Sequence, residues 1–313
     1  MSLVEDYKKT GYLTELFQIF YLQDNNKRDF ELHYHDFHKI LIFLKGNVTY
    51  FIEGKNYLLS HHDIVLVKAG EIHKPLIHDN SPYERLILYI SPAFFQRDEY
   101  APLADCFENS ALLNSNVIHL ASSSEHPKHF SKQQQAVLDS ITGLKTLFEV
   151  AAHETAPVLL ENATPDVSPK LFENTAAPNL SSKLFELHKK IHLLEFLLHL
   201  NTYIQTDKNT FEPEYISNPK VLQTIAYINH HITEELSIDR IANALFLHRS
   251  YLMHLFKEET GYSIMKYIER KRLFLANNLI QNGLSKTEAC YQSGFKNYAA
   301  YYYASKNTIS KSD

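Results

Sequence analysis

Residues 237–280 read SIDRIANALFLHRSYLMHLFKEETGYSIMKYIERKRLFLANNLI, and the period of their apolar positions decides the fold of the chain's last third. Behind Ser237, whose hydroxyl suits the free N–H groups of a first helical turn, Ile238, Ile241, Ala242 and Leu245 recur at helical spacing. The pattern breaks at Leu247-His248-Arg249 and resumes with Tyr251, Leu252, Leu255 and Phe256, until Gly261 supplies a left-handed stop. Two short helices on a tight turn, with small Ala242 where the backbones would cross closely, read as a helix-turn-helix unit. The second helix of such a unit enters the DNA major groove, so the expected contacts are its outward positions His248, Arg249, Ser250, Met253, His254 and Lys257. Arg249 and Lys257 have the chemistry for phosphates or guanine edges, although two solvated surface cations would look the same in sequence.

Downstream, Ile264, Ile268, Leu273, Ala276, Leu279 and Ile280 line a long helix that Gly283 ends. A second unit opens at Ser285, passes Ala289, Cys290 and Gly294-Phe295, and continues over 297–306, with Lys296, Asn297, Tyr298 and Lys306 as its expected DNA contacts. Two units joined by one rigid helix present two recognition helices about one DNA turn apart. Upstream, Pro219 suits a first helical turn ahead of Val221, Leu222, Ile225 and Ile228. Charge agrees: residues 218–313 carry +4 while the rest carries −9, within a net charge of −5. A basic tail behind an acidic body points to a polyanionic partner for the tail, here double-stranded DNA.

On these residues the segment 219–306 resembles the DNA-binding domain of the arabinose-regulator (AraC/XylS) family of bacterial transcription regulators. In the first unit Ile241-Ala242, Ser250, Tyr251, Leu252, Phe256-Lys257, Gly261, Tyr267, Arg272-Leu273, Ala276 and Leu279 fall on the family's pattern. In the second, Gly294-Phe295, Asn297 and Tyr301 fit, whereas Cys290 replaces the usual Ala, Tyr303 stands where a basic residue is frequent and Ser305 where Phe is preferred. The second unit is therefore expected to hold DNA through phosphates rather than a strict base code.

The first hundred residues have a different grammar. Short β-branched and aromatic runs at 39–45 (KILIFLK), 48–52 (VTYFI), 57–60, 63–67, 76–78 and 85–90 are separated by Gly46-Asn47, Gly54-Lys55-Asn56, Ala69-Gly70-Glu71 and Asn80-Ser81-Pro82. Strands this short and evenly spaced favour an antiparallel sandwich or small barrel. His33-Tyr34-His35 before one strand and Gly70-Glu71-Ile72-His73 after another are arrangements that metal cupins use to gather imidazoles. Lys39, however, takes the place of the carboxylate such a centre wants, so neither a metal nor any other cofactor is expected. Residues 33–94 instead resemble the effector-binding cupin domain of the same family, which implies a small molecule in the barrel. His33, His35, Lys39, Tyr50 and His73 are its expected polar lining, suited to a sugar or an anionic ligand.

Between these ends, Val137, Leu138, Ile141, Leu144 and Phe148 have helical spacing, and four prolines punctuate the residues that follow. Leu184, Leu187, Ile191, Leu194 and Leu198 then repeat at the spacing of a coiled-coil seam. That seam reads equally as a homodimer contact or as a helix packed on its own domain.

The expected fold class is α+β: an N-terminal antiparallel cupin-like barrel, central helices and a C-terminal all-α domain with two helix-turn-helix units. The expected divisions are 1–105 for the sensor, 106–212 for a helical dimerisation region with a flexible insertion at 152–182, and 213–313 for the DNA-binding domain. No run of residues is long and apolar enough for a membrane helix, the first residues do not read as a secretory signal, and Cys106 and Cys290 have no metal-type spacing. The functional expectation is a non-enzymatic, cytoplasmic, effector-responsive regulator that acts as a homodimer with RNA polymerase as a further partner. Two rivals remain at this point: a metal-dependent cupin enzyme with an accessory helical domain, and a protein-interaction module with a degenerate DNA-binding tail.

Overall fold

The computed structural model describes residues 13–112 apart from 14, 26, 28 and 31, and then 115–120, 130–155, 180–206 and 216–309. Seven strands come first: β1 (Phe17–Asp24), β2 (His38–Lys45), β3 (Val48–Ile52), β4 (Lys55–Leu58), β5 (Ile64–Val67), β6 (His73–Ile77) and β7 (Tyr83–Ile90). With β8 (Val117–Ile118) and β9 (Ile216–Ser217) they build two antiparallel sheets, ordered β1-β7-β2-β5-β8 and β6-β3-β4-β9. The turn between β3 and β4 places Glu53 at φ 46 and Gly54 at φ 84, the doubly left-handed conformation that lets a two-residue hairpin match strand twist. A backbone bridge from His33 to His73 extends the second sheet at its β6 edge.

Alternation assigns each face of the first sheet. Ile40, Ile42 and Leu44 of β2 and Leu86, Leu88 and Ile90 of β7 point outward, against two long helices. Leu41, Phe43, Ile87 and Tyr89 point the other way and meet Val48, Tyr50, Ile52 and Tyr57 of the second sheet. The result is a cupin-like pair of sheets around an apolar interior.

The helices are α1 (Asp105–Leu112), α2 (Lys132–Thr155) and α3 (Leu180–Thr206), followed in the tail by α4 (Pro219–His230), α5 (Ile238–Ala244), α6 (Arg249–Thr260), α7 (Ile264–Gln281), α8 (Lys286–Gln292) and α9 (Tyr298–Ile309). Ile141 and Leu144 of α2 and Leu193, Phe196, Leu197 and Leu200 of α3 bury against the first sheet, so these helices share the sensor's core. Burial of each such side chain contributes about 1.5–3 kcal/mol. The span 106–212 is thus less separate than the sequence suggests, since it also supplies β8 to the first sheet. Likewise β9 pairs with β4, carrying the start of the expected tail domain into the second sheet. The expected insertion is helical at both edges, because α2 runs to Thr155 and α3 begins at Leu180. Residues 156–179 and 207–215, which hold the rest of that insertion and the polar stretch before the tail, lie outside the described residues.

Caps fix the tail helices where the sequence placed them. The Ser237 hydroxyl accepts from the Arg240 N–H, Ser285 forms a reciprocal capping box with Glu288, and Gly261 closes α6 at φ 74. Two small cores result. The first unit closes around Ile241, Leu252, Phe256, Ile264 and Tyr267, and the second around Leu273, Ala289, Cys290, Phe295 and Tyr301.

Candidate functional site

On α6, Leu252, Leu255 and Phe256 turn inward, and this phase leaves Arg249, Ser250, Met253, His254 and Lys257 on the exposed side, with His248 exposed at the N-cap. Arg249 reaches back to Asp239 at 2.5 Å, with both side chains more than half exposed. His254 faces Glu258 at 3.4 Å. One neighbour escaped the sequence reading. Phe246, in the turn before α6 at φ 54, is 96% exposed. Its signal was hidden because an aromatic within Leu245-Phe246-Leu247 reads as core. Arg272, a position of the family pattern, faces inward on the protein's own backbone, donating to the Ile232 and Glu234 carbonyls at 2.9 and 2.5 Å.

In the second unit Lys296, Asn297, Tyr298 and Lys306 are all exposed. Asn297 also has a structural task, since its side-chain oxygen accepts the Ala300 N–H at 2.8 Å and caps α9. Of the three consecutive tyrosines, Tyr301 is buried, whereas Tyr302 and Tyr303 are exposed. Lys306 lies 5.9 Å from the Tyr302 ring centroid.

The five candidate lining residues of the sensor meet at one end of the space between the sheets. Ring centroids of His33, His35 and His73 lie 4.5 to 5.2 Å apart, and Tyr50 stacks on His73 at 6.0 Å. Lys39 points inward from β2, with its ammonium 5.6 Å from the Tyr50 ring and 6.0 Å from that of Tyr89, a lining residue the sequence did not single out. All five are buried. Burial, with some repulsion from Arg85, brings the Lys39 pKa down to about 7, so this lysine loses its charge far more readily than one in water. Burial likewise pushes His35 and His73 well below the usual imidazole range, and both rings are neutral at pH 7. Both His35 ring nitrogens and Nε2 of His73 have no hydrogen-bond partner. A buried polar atom left this way costs about 1–3 kcal/mol, a cost that a ligand of suitable chemistry removes.

Two family models match the chain: an AraC-like ligand binding domain over residues 18–128 and a helix-turn-helix domain over residues 241–312. The chain belongs to the AraC/XylS family. Among its relatives is the HTH-type transcriptional activator RhaS of Enterobacter sp. (strain 638), 24% identical over 267 residues that cover 85% of this chain and 80% of the relative. RhaS of Citrobacter koseri matches with the same identity and the same coverage. Among solved structures, ToxT from Vibrio cholerae is 14% identical over 94% of this chain and 95% of its own, with a TM-score of 0.33. The AraC-like transcriptional activator CuxR is 12% identical over 83% of this chain and 72% of its own, with a TM-score of 0.28. Like its RhaS relatives, this AraC/XylS protein is a transcription regulator, built from a ligand-binding and a helix-turn-helix domain.

Specific contacts join the two domains of this family member, and no local sequence pattern discloses them. Glu53, on the β3–β4 turn, receives Lys271 at 2.8 Å and the Tyr267 hydroxyl, both from α7, while also accepting the Ile72 N–H at 2.7 Å. Lys271 donates to the Gly70 carbonyl at 3.0 Å, and the Tyr262 hydroxyl donates to the Leu32 carbonyl at 2.5 Å. The Ile72 side chain belongs to the core of the first helix-turn-helix unit. A β-carbon on Gly70 would lie 2.5 Å from the Phe274 ring, so glycine permits this approach.

Proposed function

We propose that the protein is a sequence-specific DNA-binding regulator whose grip on DNA is set by a small-molecule effector in the sensor. The α6 face, with Arg249 and Lys257 as phosphate or guanine contacts, makes the principal base readout. Lys296, Asn297, Tyr298 and Lys306 hold the backbone of the adjacent groove. Phe246 belongs to this surface, with the chemistry to meet a thymine methyl. The effector, a sugar or an anion, occupies the space lined by His33, His35, Lys39, Tyr50 and His73, and acts by changing how the sensor holds the tail.

The observation that carries this reading is the separation of faces on α6: apolar residues seat the helix, and the residues of the family's recognition positions stand in solvent. Leu184, Leu187, Ile191 and Leu198 are each about half exposed on α3, opposite the leucines that cover the sheet. That stripe favours the homodimer reading of the seam, with Leu194 partly buried at its margin. Among the described residues no helix is long and apolar enough to cross a membrane. A cytoplasmic site of action with RNA polymerase as a partner completes the proposal.

The test is a gel shift and footprint of the full-length chain on the DNA upstream of its own and neighbouring genes, across a salt series. Salt-sensitive protection of defined sites is expected. Binding that ignores sequence, or no binding, would refute the reading.

A further inference from the structure

Among the described residues, His33, His35 and His73 form a group whose ligand atoms all lie within 4.8 Å of one another, and every member is buried. Three nitrogens on one tetrahedral ion at about 2.0–2.1 Å stand about 3.3 Å apart, so ring rotations and a modest inward contraction are enough to close the set. The donor chemistry is already prepared. His73 Nδ1 lies 2.9 Å from the Glu71 carbonyl, which fixes the proton there and leaves the Nε2 lone pair facing the cluster. That lone pair and the His35 nitrogens are the orphaned atoms described above. A set of three imidazole nitrogens suits zinc, cobalt(II) or nickel(II) and leaves an open position for water or an anion. Lys39, the residue that argued against a metal in sequence, lies 5.6 and 6.0 Å from the Tyr50 and Tyr89 ring centroids. Its ammonium, when charged, also repels positive charge at His35 and His73, so an ion must bind against that repulsion.

The same segments hold the tail. His33 exchanges backbone hydrogen bonds with His73, and next to it Leu32 takes the Tyr262 hydroxyl. The His35 carbonyl accepts the Gly70 N–H, and the Gly70 carbonyl takes Lys271. Ile72, beside His73, is part of the core of the first helix-turn-helix unit. Each imidazole is therefore at most a residue or one backbone hydrogen bond from a contact with the DNA-binding domain.

We propose that His33, His35 and His73 bind a divalent transition-metal ion, and that closure of the three rings on it shifts the Leu32, Gly70 and Ile72 contacts that hold the first DNA-binding unit. This rests on the reading of the barrel as the effector site and makes the metal its effector or the anchor of an anionic one.

The experiment uses the metal-stripped full-length chain titrated with Zn2+ and, for its visible absorption, Co2+. One tightly bound ion per chain and a tetrahedral or five-coordinate cobalt spectrum are expected. His35→Ala and the gentler His73→Gln should each weaken binding at least tenfold, while His61→Ala/His62→Ala, which removes an imidazole pair elsewhere on the sensor, should not. Circular dichroism establishes that each variant is folded. DNA affinity should change at least fivefold on metal addition in the parent and in neither cluster variant. No stoichiometric binding by the folded parent, or binding that survives both cluster substitutions, would overturn the metal site. Metal binding without any change in DNA affinity would overturn the coupling. Sequence-selective DNA binding by the metal-free chain keeps the regulator reading standing when the metal fails, and its absence with and without metal sinks that reading on its own.

Discussion

Replacing Arg249 and Lys257 together by Ala should flatten the salt dependence of DNA binding by a calculable amount. Both side chains are exposed, and removing them leaves the buried face of α6, Leu252, Leu255 and Phe256, untouched. The Arg249–Asp239 pair is not an obstacle, since its side chains are 52% and 61% exposed and such surface pairs contribute about 0–1 kcal/mol. Folding stability should therefore stay within about 0.5 kcal/mol of the parent. Each phosphate neutralised on duplex DNA contributes about 0.9 to the slope of log affinity against log salt, so losing two should make that slope shallower by about 1.8 for each bound copy. From about 50 to 200 mM salt the parent should then lose about twelvefold more affinity than the variant. Fluorescence anisotropy on a labelled duplex carrying a footprinted site measures both slopes. An unchanged slope in a folded variant would refute the placement of this helix against phosphates. A change of about half that size, together with relaxed preference at one base pair, would assign one of the two side chains to base readout.

Three further outcomes follow from other parts of the molecule. Burial holds His38 down at about 4, from an ordinary 6.5, where its ring packs 4.4 Å from that of Phe107. The folded state thus excludes a proton that the unfolded chain takes up, and stability should fall as pH drops through 6.5 towards 4. The loss is about 2 kcal/mol between about pH 7 and 5, and His38→Phe should remove that share of it in urea titrations at the two pH values. Gly294→Ala should destabilise the tail by about 2–3 kcal/mol, because the backbone sits at φ 89 and the new methyl would meet the Ile232 carbonyl at 2.6 Å; thermal denaturation reads this directly. Leu187→Asp/Ile191→Asp, at positions 51% and 50% exposed, should leave circular dichroism unchanged and turn a dimer into a monomer in sedimentation velocity, whereas an unchanged sedimentation coefficient would remove α3 from the interface.

The sequence was most readable where structure is local. KILIFLK and VTYFI fall in β2 and β3 because β-branched runs between Gly turns have few other solutions. Ser237, Ser285 and Gly261 mark helix ends through hydrogen bonds within a few residues. β1 escaped because FQIFYLQD pairs along β7 alone at the sheet edge, with most of its residues half-buried and no clean alternation. β8 and β9 are two residues each, too short for any period. At the site, the imidazoles, Lys39 and Tyr50 were legible as residue types. Their convergence was not, because it depends on which strand face points inward and on a bridge between residues 33 and 73. The hydrogen bond from Tyr262 to Leu32 spans 230 positions and leaves no local trace at either end.

Affinity cleavage can place both recognition helices on DNA in one measurement. Cys106 and Cys290 are buried, so an iron chelate attached to a cysteine introduced at exposed Ser250 or at exposed Ala299 reports from one helix at a time. The expected result is two cleavage centres in successive major grooves on one face of the duplex, separated by about 10–10.5 base pairs. Cleavage from the Ser250 position that is scattered along the duplex, or no cleavage from it at all on a bound site, would contradict the assignment of the tail as the DNA-reading part of this regulator.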